Sequence, residues 1–308
     1  MTDSPRATPI ALEPVSCTVT QATMERYAEL FGDVNSLHTD AEFAKTTPYG
    51  TNIVYGMLPF LCLSMLNWRR ALLRRGGFQM LTVNFHQPVF VGDRLDVASV
   101  LFPSGNGGGP AEFEYEIRHR ATGTVVTTGA GLLGPLRGGP KSTGALPEEV
   151  PPLRTRMPTQ PLVEQRFTFD QIRTGQVSAF DFDVTAGALR ALHEILRLGA
   201  ESSPPGWQEW LDNCAPRTFL LATLFSVFIG MCIPGQRAVT TNCHARFHRV
   251  PPLGQRCRMT GTVSFKSATT STVQVDIVVG DVSGSSVYAT GKVHAHVHAP
   301  PGDRVPGG

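Results

Sequence analysis

The sequence predicts an α+β protein in which one unit, an antiparallel sheet wrapped around a long buried helix, is written twice. Two apolar stretches of helical length, Ile53 to Leu73 and Phe219 to Met231, each precede four runs of strand-like character joined by short turns. Strands joined that tightly must be antiparallel. The segments "FHQPVFVGD" (Phe85 to Asp93) and "FHRVPPLGQ" (Phe247 to Gln255) match in register at Phe, His and Gly, in equivalent places of the two halves. An internal duplication accounts for that placement.

In the first half, Met24, Tyr27, Leu30 and Phe31 fall on one face of a helix that starts near Thr20 and stops at Gly32. The helix from Ile53 is apolar nearly all round as far as Trp68, as expected of a helix enclosed by other structure. Strands are expected at 79–90, 93–102, 111–120 and 124–133. In the second half, "VTAGALRALHEILRL" (Val184 to Leu198) aligns with "VTQATMERYAELFGD" (Val19 to Asp33), and Phe219 to Met231 supplies the buried helix. Strands follow at 238–250, 255–267, 272–281 and 286–299. Residues 135–161, rich in Pro and Gly and without apolar periodicity, read as a connection. The predicted organisation is a first domain at 1–140, a linker at 141–161, a second domain at 162–298 and a flexible tail at 299–308.

A net charge of +2, with 41% hydrophobic and 17% charged residues, gives no excess that would point to nucleic acid or a membrane surface. The opening "MTDSPRATPIALEP" has no basic region followed by an apolar run, so a cytoplasmic location is expected. The longest uncharged run, "TFLLATLFSVFIGMCIPG", falls short of the roughly 20 residues that cross a bilayer. Cysteines 17, 62, 214, 232, 243 and 257 form no C-x-x-C pair, and neither disulfides nor a zinc site are expected.

Function has to be read from "ELFGDVNSLHTDAEFA" (Glu29 to Ala44), where Asp33, Asn35 and His38 crowd a helix running into a turn. Gly-Asp and Asn taken alone are ordinary turn formers. A carboxylate and an imidazole on one loop can, however, also exchange protons together. The spacing Gly32-Asp33-x-Asn35-x-x-His38, followed by Asp40, Ala44 and "IVYGML" (Ile53 to Leu58), resembles the MaoC-like, R-specific enoyl thioester hydratase and dehydratase family. The family pattern is F-x-G-D-x-N-P-x-H-x-D-x-x-x-A, then I-x-H-G-M at the opening of the central helix. Ser36 stands where proline is usual, and Tyr55 where histidine often precedes the glycine. The resemblance covers the first half, and for the second it implies a degenerate partner, giving a double hot dog in one chain.

The resemblance implies that Asp33 and His38 hold a water between them and that Asn35 positions the loop. Gly56, at the mouth of the buried helix, is the expected backbone donor to enolate-like charge on the thioester oxygen. Tyr55, Met57, Ser36, Arg69 and Arg70 are the candidate substrate-binding residues. No metal or redox cofactor is implied; the substrate is carried as a coenzyme A or phosphopantetheine thioester, the latter on an acyl carrier protein. Either a monomer of two pseudo-symmetric halves or a homodimer fits.

Other features have plainer readings. Arg69, Arg70, Arg74 and Arg75 complement the dipole at a helix end, with phosphate binding as the functional alternative. His294, His296 and His298 share one strand face but lack the other ligands of a metal site. "GNGGGP" (Gly105 to Pro110) lies between strands and reads as a hairpin loop. His86 and His248, equivalent in the repeat, read as structural. The segment "RLGAESSPPGWQEWLDNC" (Arg197 to Cys214) lacks any Asp-x-x-x-x-His, so the second half is expected to be structural, with His193, Glu194, Glu201 and Asp212 its nearest ionisable groups. The resulting expectation is a lyase that hydrates or dehydrates an acyl thioester. Its rivals are a hot dog thioesterase and a non-catalytic acyl-binding scaffold.

Overall fold

The computed structural model describes residues 8–66, 77–104, 109–136, 156–201, 206 and 216–300. Two short strands, β1 (Ile10–Ala11) and β2 (Val15–Thr18), lead into α1 (Gln21–Phe31). Thr20 caps α1, its hydroxyl accepting from the Thr23 amide, and Gly32 ends it in the left-handed region at φ +64°. Two single-turn helices follow, α2 (Ser36–Thr39) and α3 (Ala41–Lys45), then α4 (Met57–Leu61) and the strands β3 (Gly77–Phe85), β4 (Arg94–Phe102), β5 (Ala111–His119) and β6 (Val125–Gly134). The second half runs β7 (Val177–Val184), α5 (Ala186–Gly199), α6 (Pro216–Met231), β8 (Ala238–Phe247), β9 (Gln255–Ser267), β10 (Thr272–Asp281) and β11 (Val287–Val297).

The helix expected from Ile53 is shorter at its start. Ile53 to Tyr55 stay extended because the Val54 amide donates to the Val89 carbonyl at 2.8 Å. Pro59, which has no amide to give, then sits in the first turn, where none is needed. After one turn α4 tightens into a 3₁₀ segment, Cys62–Met65, and residues 67–76 lie outside the described residues, Arg69, Arg70, Arg74 and Arg75 among them. By contrast α6 is a full 16 residues and apolar all round, with Phe219, Leu220, Leu224, Phe225 and Phe228 at or below 1% exposure. Gly261 lets α6 sink onto the sheet, since any Cβ there would enter the Phe228 ring.

The two expected sheets are joined edge to edge. One antiparallel sheet runs in the order β1-β4-β5-β6-β3-β8-β11-β10-β9-β7, with β2 also on β4. At its centre Met80 to Asn84 of β3 pair with Arg246 to Asn242 of β8, and the midpoint is Thr82 opposite His244. The repeat offset of 162 residues, seen from His86 and His248, carries Thr82 onto His244, so the duplicated strand pairs with its own copy. The equivalence extends to detail. His86 Nε2 meets Thr128 Oγ1 at 2.8 Å, and His248 Nε2 meets Thr290 Oγ1 at 3.0 Å. Gly92 and Gly254 both take positive φ, and each donates its amide at 2.8 Å to the residue before a helix cap, Val19 and Val184.

Further contacts tie the halves together. Arg26 on α1 meets Glu194 on α5 at 3.2 Å, and Glu201 accepts from Arg94 at 2.7 Å and Arg120 at 2.8 Å. Of the expected linker, 141–155 lies outside the described residues. From Arg156 onward the chain is packed: Met157 is fully buried, donates to the Leu30 carbonyl at 2.8 Å and accepts from the Asp183 amide at 2.9 Å.

Removing the second half would strip β3 of its partner and expose the apolar surface that α6 covers. Residues 1–140 expressed alone are therefore expected to self-associate or precipitate in light scattering. A monodisperse, folded monomer would contradict this.

Candidate active site

Each polar residue of the Gly32–Asp40 turn does a local backbone task. The Asp33 carboxylate oxygen Oδ1 accepts from the Asn35 amide at 3.1 Å, and Asn35 Oδ1 accepts from the Leu37 amide at 2.8 Å, so Asn35 caps the single turn that carries His38. Asp40 caps the next turn, accepting from the Glu42 and Phe43 amides at 2.9 and 3.1 Å. Asn35 also reaches into the other half: its Nδ2 donates to the Gly230 carbonyl of α6 at 2.7 Å. The turn is fixed from within and from across the chain.

His38 points back along its own half. Its Nδ1 lies 2.8 Å from the Ile53 carbonyl, and a carbonyl can only accept, so Nδ1 carries the hydrogen and Nε2 is left as a bare acceptor. Burial holds the His38 imidazolium down to about 4, and the Ile53 carbonyl only partly offsets this. Asp33, 4% exposed, is pushed the other way, up to about 7, chiefly by burial. The Asn35 amide opposes that rise and the charge of Glu164 adds to it. Near neutral pH the site therefore holds a neutral imidazole beside a carboxyl in mid-titration.

Tyr55 touches both residues. Its hydroxyl donates to the Asp33 backbone carbonyl at 2.8 Å, its ring lies 4.3 Å from the His38 ring, and its other face stacks on Tyr27 at 4.4 Å. His38, Tyr55 and Gly56 share the wall of a cavity of about 200 Å³. Gly56 opens α4, whose first-turn amides have no partner within the helix, and no side chain caps that end. A Cβ on Gly56 would meet the Phe85 ring at 3.2 Å.

The remaining predicted residues lie elsewhere. Asp33 and Asn35 are buried behind the cavity wall, and Met57 is wholly in the core. Ser36 is bonded to Glu164 rather than facing the cavity. Arg69 and Arg70 fall outside the described residues. His86 lines the cavity while keeping its bond to Thr128. His294, His296 and His298 are bonded separately, to Gln274 at 2.8 Å, the Thr270 carbonyl at 3.0 Å and the Tyr49 hydroxyl at 3.4 Å. Among the described residues no cluster of three metal-ligating side chains exists, and no helix is long and apolar enough to cross a membrane.

The sequence reading missed the contribution of the second half. Ser226 of α6 and Val239, Thr240 and Thr241 of β8 form one side of the cavity, whereas His193, Glu194 and Glu201 lie away from it and Asp212 is outside the described residues. Glu164, Gln236 and Gly230 anchor the Gly32–Asp40 turn from the same half. No short-range signal marks any of these, because each acts on a residue far away in sequence.

Residues 7–122 match the MaoC like domain family. Over 71 residues the chain is 34% identical to a 3-hydroxybutyryl-CoA dehydratase of Methylorubrum extorquens, a stretch covering 23% of this chain and 45% of that relative, so less than half of the relative's length is spanned. A solved MaoC-like dehydratase superposes with a TM-score of 0.66 at 15% identity, over 94% of this chain and 98% of that one. A conserved hypothetical protein of Mycobacterium tuberculosis with a double hotdog fold superposes with a TM-score of 0.61 at 13% identity, over 96% and 97%. At these identities the structural matches speak to the fold, and the family match speaks to the half that holds Asp33 and His38. Residues 7–122 thus match the MaoC like domain, and the chain as a whole has the double hot dog fold.

Proposed function

We propose that this chain adds water to, or eliminates it from, the α,β-position of an acyl thioester, carried by coenzyme A or by the phosphopantetheine arm of a carrier protein. One observation supports this above the others: a neutral His38 with a bare Nε2 shares a cavity wall with the uncapped Gly56 amide, while the buried Asp33 of the same turn is pushed up to about 7.

In this reading the reactive water enters from the cavity at His38 Nε2 and reaches the buried Asp33 carboxylate, donating one O–H to each. That leaves an oxygen lone pair free for the β-carbon of an enoyl thioester. As the C–O bond forms, the Asp33 carboxylate takes one proton from the water, and charge moves to the thioester oxygen, where the Gly56 amide stabilises it. The same proton then passes from Asp33 to the α-carbon and yields the 3-hydroxyacyl thioester. Elimination is the reverse. Asn35 keeps the turn in place, Tyr55 packs on the His38 ring and bonds the Asp33 backbone, and the relative's printed activity on a 3-hydroxybutyryl thioester makes short acyl chains the first substrates to try.

Hydration of crotonyl-CoA, followed by loss of the enoyl absorbance, tests the assignment. Asp33→Asn and His38→Ala are each expected to lower kcat by about a thousandfold or more, with the double variant little worse than either, since residues sharing one water act as a unit. Losses that multiply would separate their roles.

The pH profile follows from the shifted groups. kcat/KM should rise with pH through about 7 as Asp33 ionises. The His38 midpoint, at about 4, adds no limb near neutrality. A rate that instead falls as pH passes 7 would require protonated Asp33 and overturn the proton assignment.

Gly56 has φ −55°, a conformation open to any residue, so substitution acts through space rather than backbone strain. Gly56→Val is expected to reduce kcat at least about tenfold, because its side chain would meet the Phe85 ring and crowd the thioester oxygen off the amide, while thermal denaturation shifts by only a few degrees. Unchanged turnover would move the thioester oxygen site elsewhere.

A further inference from the structure

We propose that Glu164, from the half without the motif, is a positioning residue for the His38 helix. This rests on the hydratase reading above and adds to it a working contribution from the second half.

The Glu164 side chain is 8% exposed, and both its oxygens are engaged. Oε1 accepts from the Ser36 amide at 2.6 Å, and Oε2 accepts from the Ser36 hydroxyl at 2.8 Å and from Gln236 Nε2 at 3.0 Å. Gln236 Nε2 also donates to Ser36 Oγ at 3.0 Å. The one cation against this carboxylate among the described residues, Arg166, stands 3.6 Å away with 73% of its side chain in water. A buried carboxylate holding charge-assisted hydrogen bonds of this length is a strong fixed point.

What it fixes is the first residue of α2, two positions before His38. Amides at a helix start have no partner within the helix. Proline, usual at this place in the family pattern, has no amide to offer and needs no acceptor; Ser36 presents two donors, and Glu164 takes both. Ser36 and Glu164 thus form a matched pair across 128 residues. Without the carboxylate, α2 would be free to shift, and displacement by about 1 Å can cost a hundredfold in rate.

The same charge acts on Asp33. The titratable and charged groups near Asp33 among the described residues include Tyr27 from α1, Tyr55 from the segment before α4, Cys232 after α6, Glu164, and Arg156, whose guanidinium lies against the adjacent Gly32. The tyrosines and the thiol are neutral near pH 7, because burial raises each of them further. Glu164 is therefore the member of this group that brings a negative charge, and that charge raises the Asp33 midpoint.

The test compares Glu164→Gln, Ser36→Ala and the double variant with the wild type, using crotonyl-CoA kinetics and carbon-13 NMR titration of the Asp33 carboxyl. Glu164→Gln is expected to lower kcat by about 10- to 100-fold with KM within about threefold, and to move the Asp33 midpoint to lower pH. Ser36→Ala keeps the charge and is expected to lower kcat by only a few fold without moving that midpoint. The double variant should fall short of the product of the two losses. A kcat within twofold of wild type in Glu164→Gln, or an Asp33 midpoint that does not move, overturns the proposal. The titration needs no turnover, so it decides even if crotonyl-CoA is not a substrate. If Glu164→Gln fails to fold, Ser36→Ala decides instead: wild-type kcat there overturns the proposal, and a few-fold loss with an unmoved midpoint supports it.

Discussion

The pairing of β3 with β8 is the contact on which the rest depends. A strand and its own duplicate meet at Thr82 and His244, where Thr82 Oγ1 and His244 Nδ1 are 3.0 Å apart, while Leu81, Val83, Cys243 and Ala245 face the core. This single junction turns two sheets, each with an open edge, into one continuous sheet. It also sets the relation between α4 and α6, whose Phe60 and Phe219 rings meet at 5.4 Å. The end of α6 is thereby brought to the turn that carries His38, so that Gly230 can accept from Asn35.

That placement explains how a half without the motif still belongs to the site. The first half supplies His38, Tyr55 and Gly56, and the second supplies one wall of the cavity and the anchors of the turn. Burial between the halves then does the electrostatic work. It pushes Asp33 up to about 7 and holds His38 down to about 4, because a low-dielectric setting disfavours the charged form of each. A carboxylate and an imidazole on an exposed loop would titrate in the ordinary order, with the carboxylate below the imidazole. Here that order is reversed, which keeps the imidazole an acceptor while the carboxyl remains able to exchange a proton.

Much of the fold was legible because its signals are local. Thr20 and Gly32 bracket α1 as their capping chemistry demands, and the alternating runs at 255–267 and 272–281 coincide with β9 and β10. The start of α4 was misjudged because apolar character continues unbroken from Ile53; Pro59 in the first turn and the Val54 bond to Val89 decide the boundary. The short strands β1 and β2 and the edge strand β7 gave too little pattern to read. For the candidate site, spacing singled out Asp33, Asn35, His38 and Gly56, of which His38 and Gly56 line the cavity. Glu164 was not legible, since a glutamate between Val163 and Gln165 looks like any solvated residue until the fold buries it against Ser36.

The central claim is that the water activated at His38 and Asp33 attacks the β-carbon of a thioester that stays intact. Incubating the protein with crotonyl-CoA in oxygen-18 water and analysing the products by mass spectrometry tests it most directly. The account predicts an intact 3-hydroxybutyryl thioester with the label in its hydroxyl group, abolished by Asp33→Asn. Label in the carboxyl group of a released free acid would contradict it and show that the water is aimed at the thioester carbonyl.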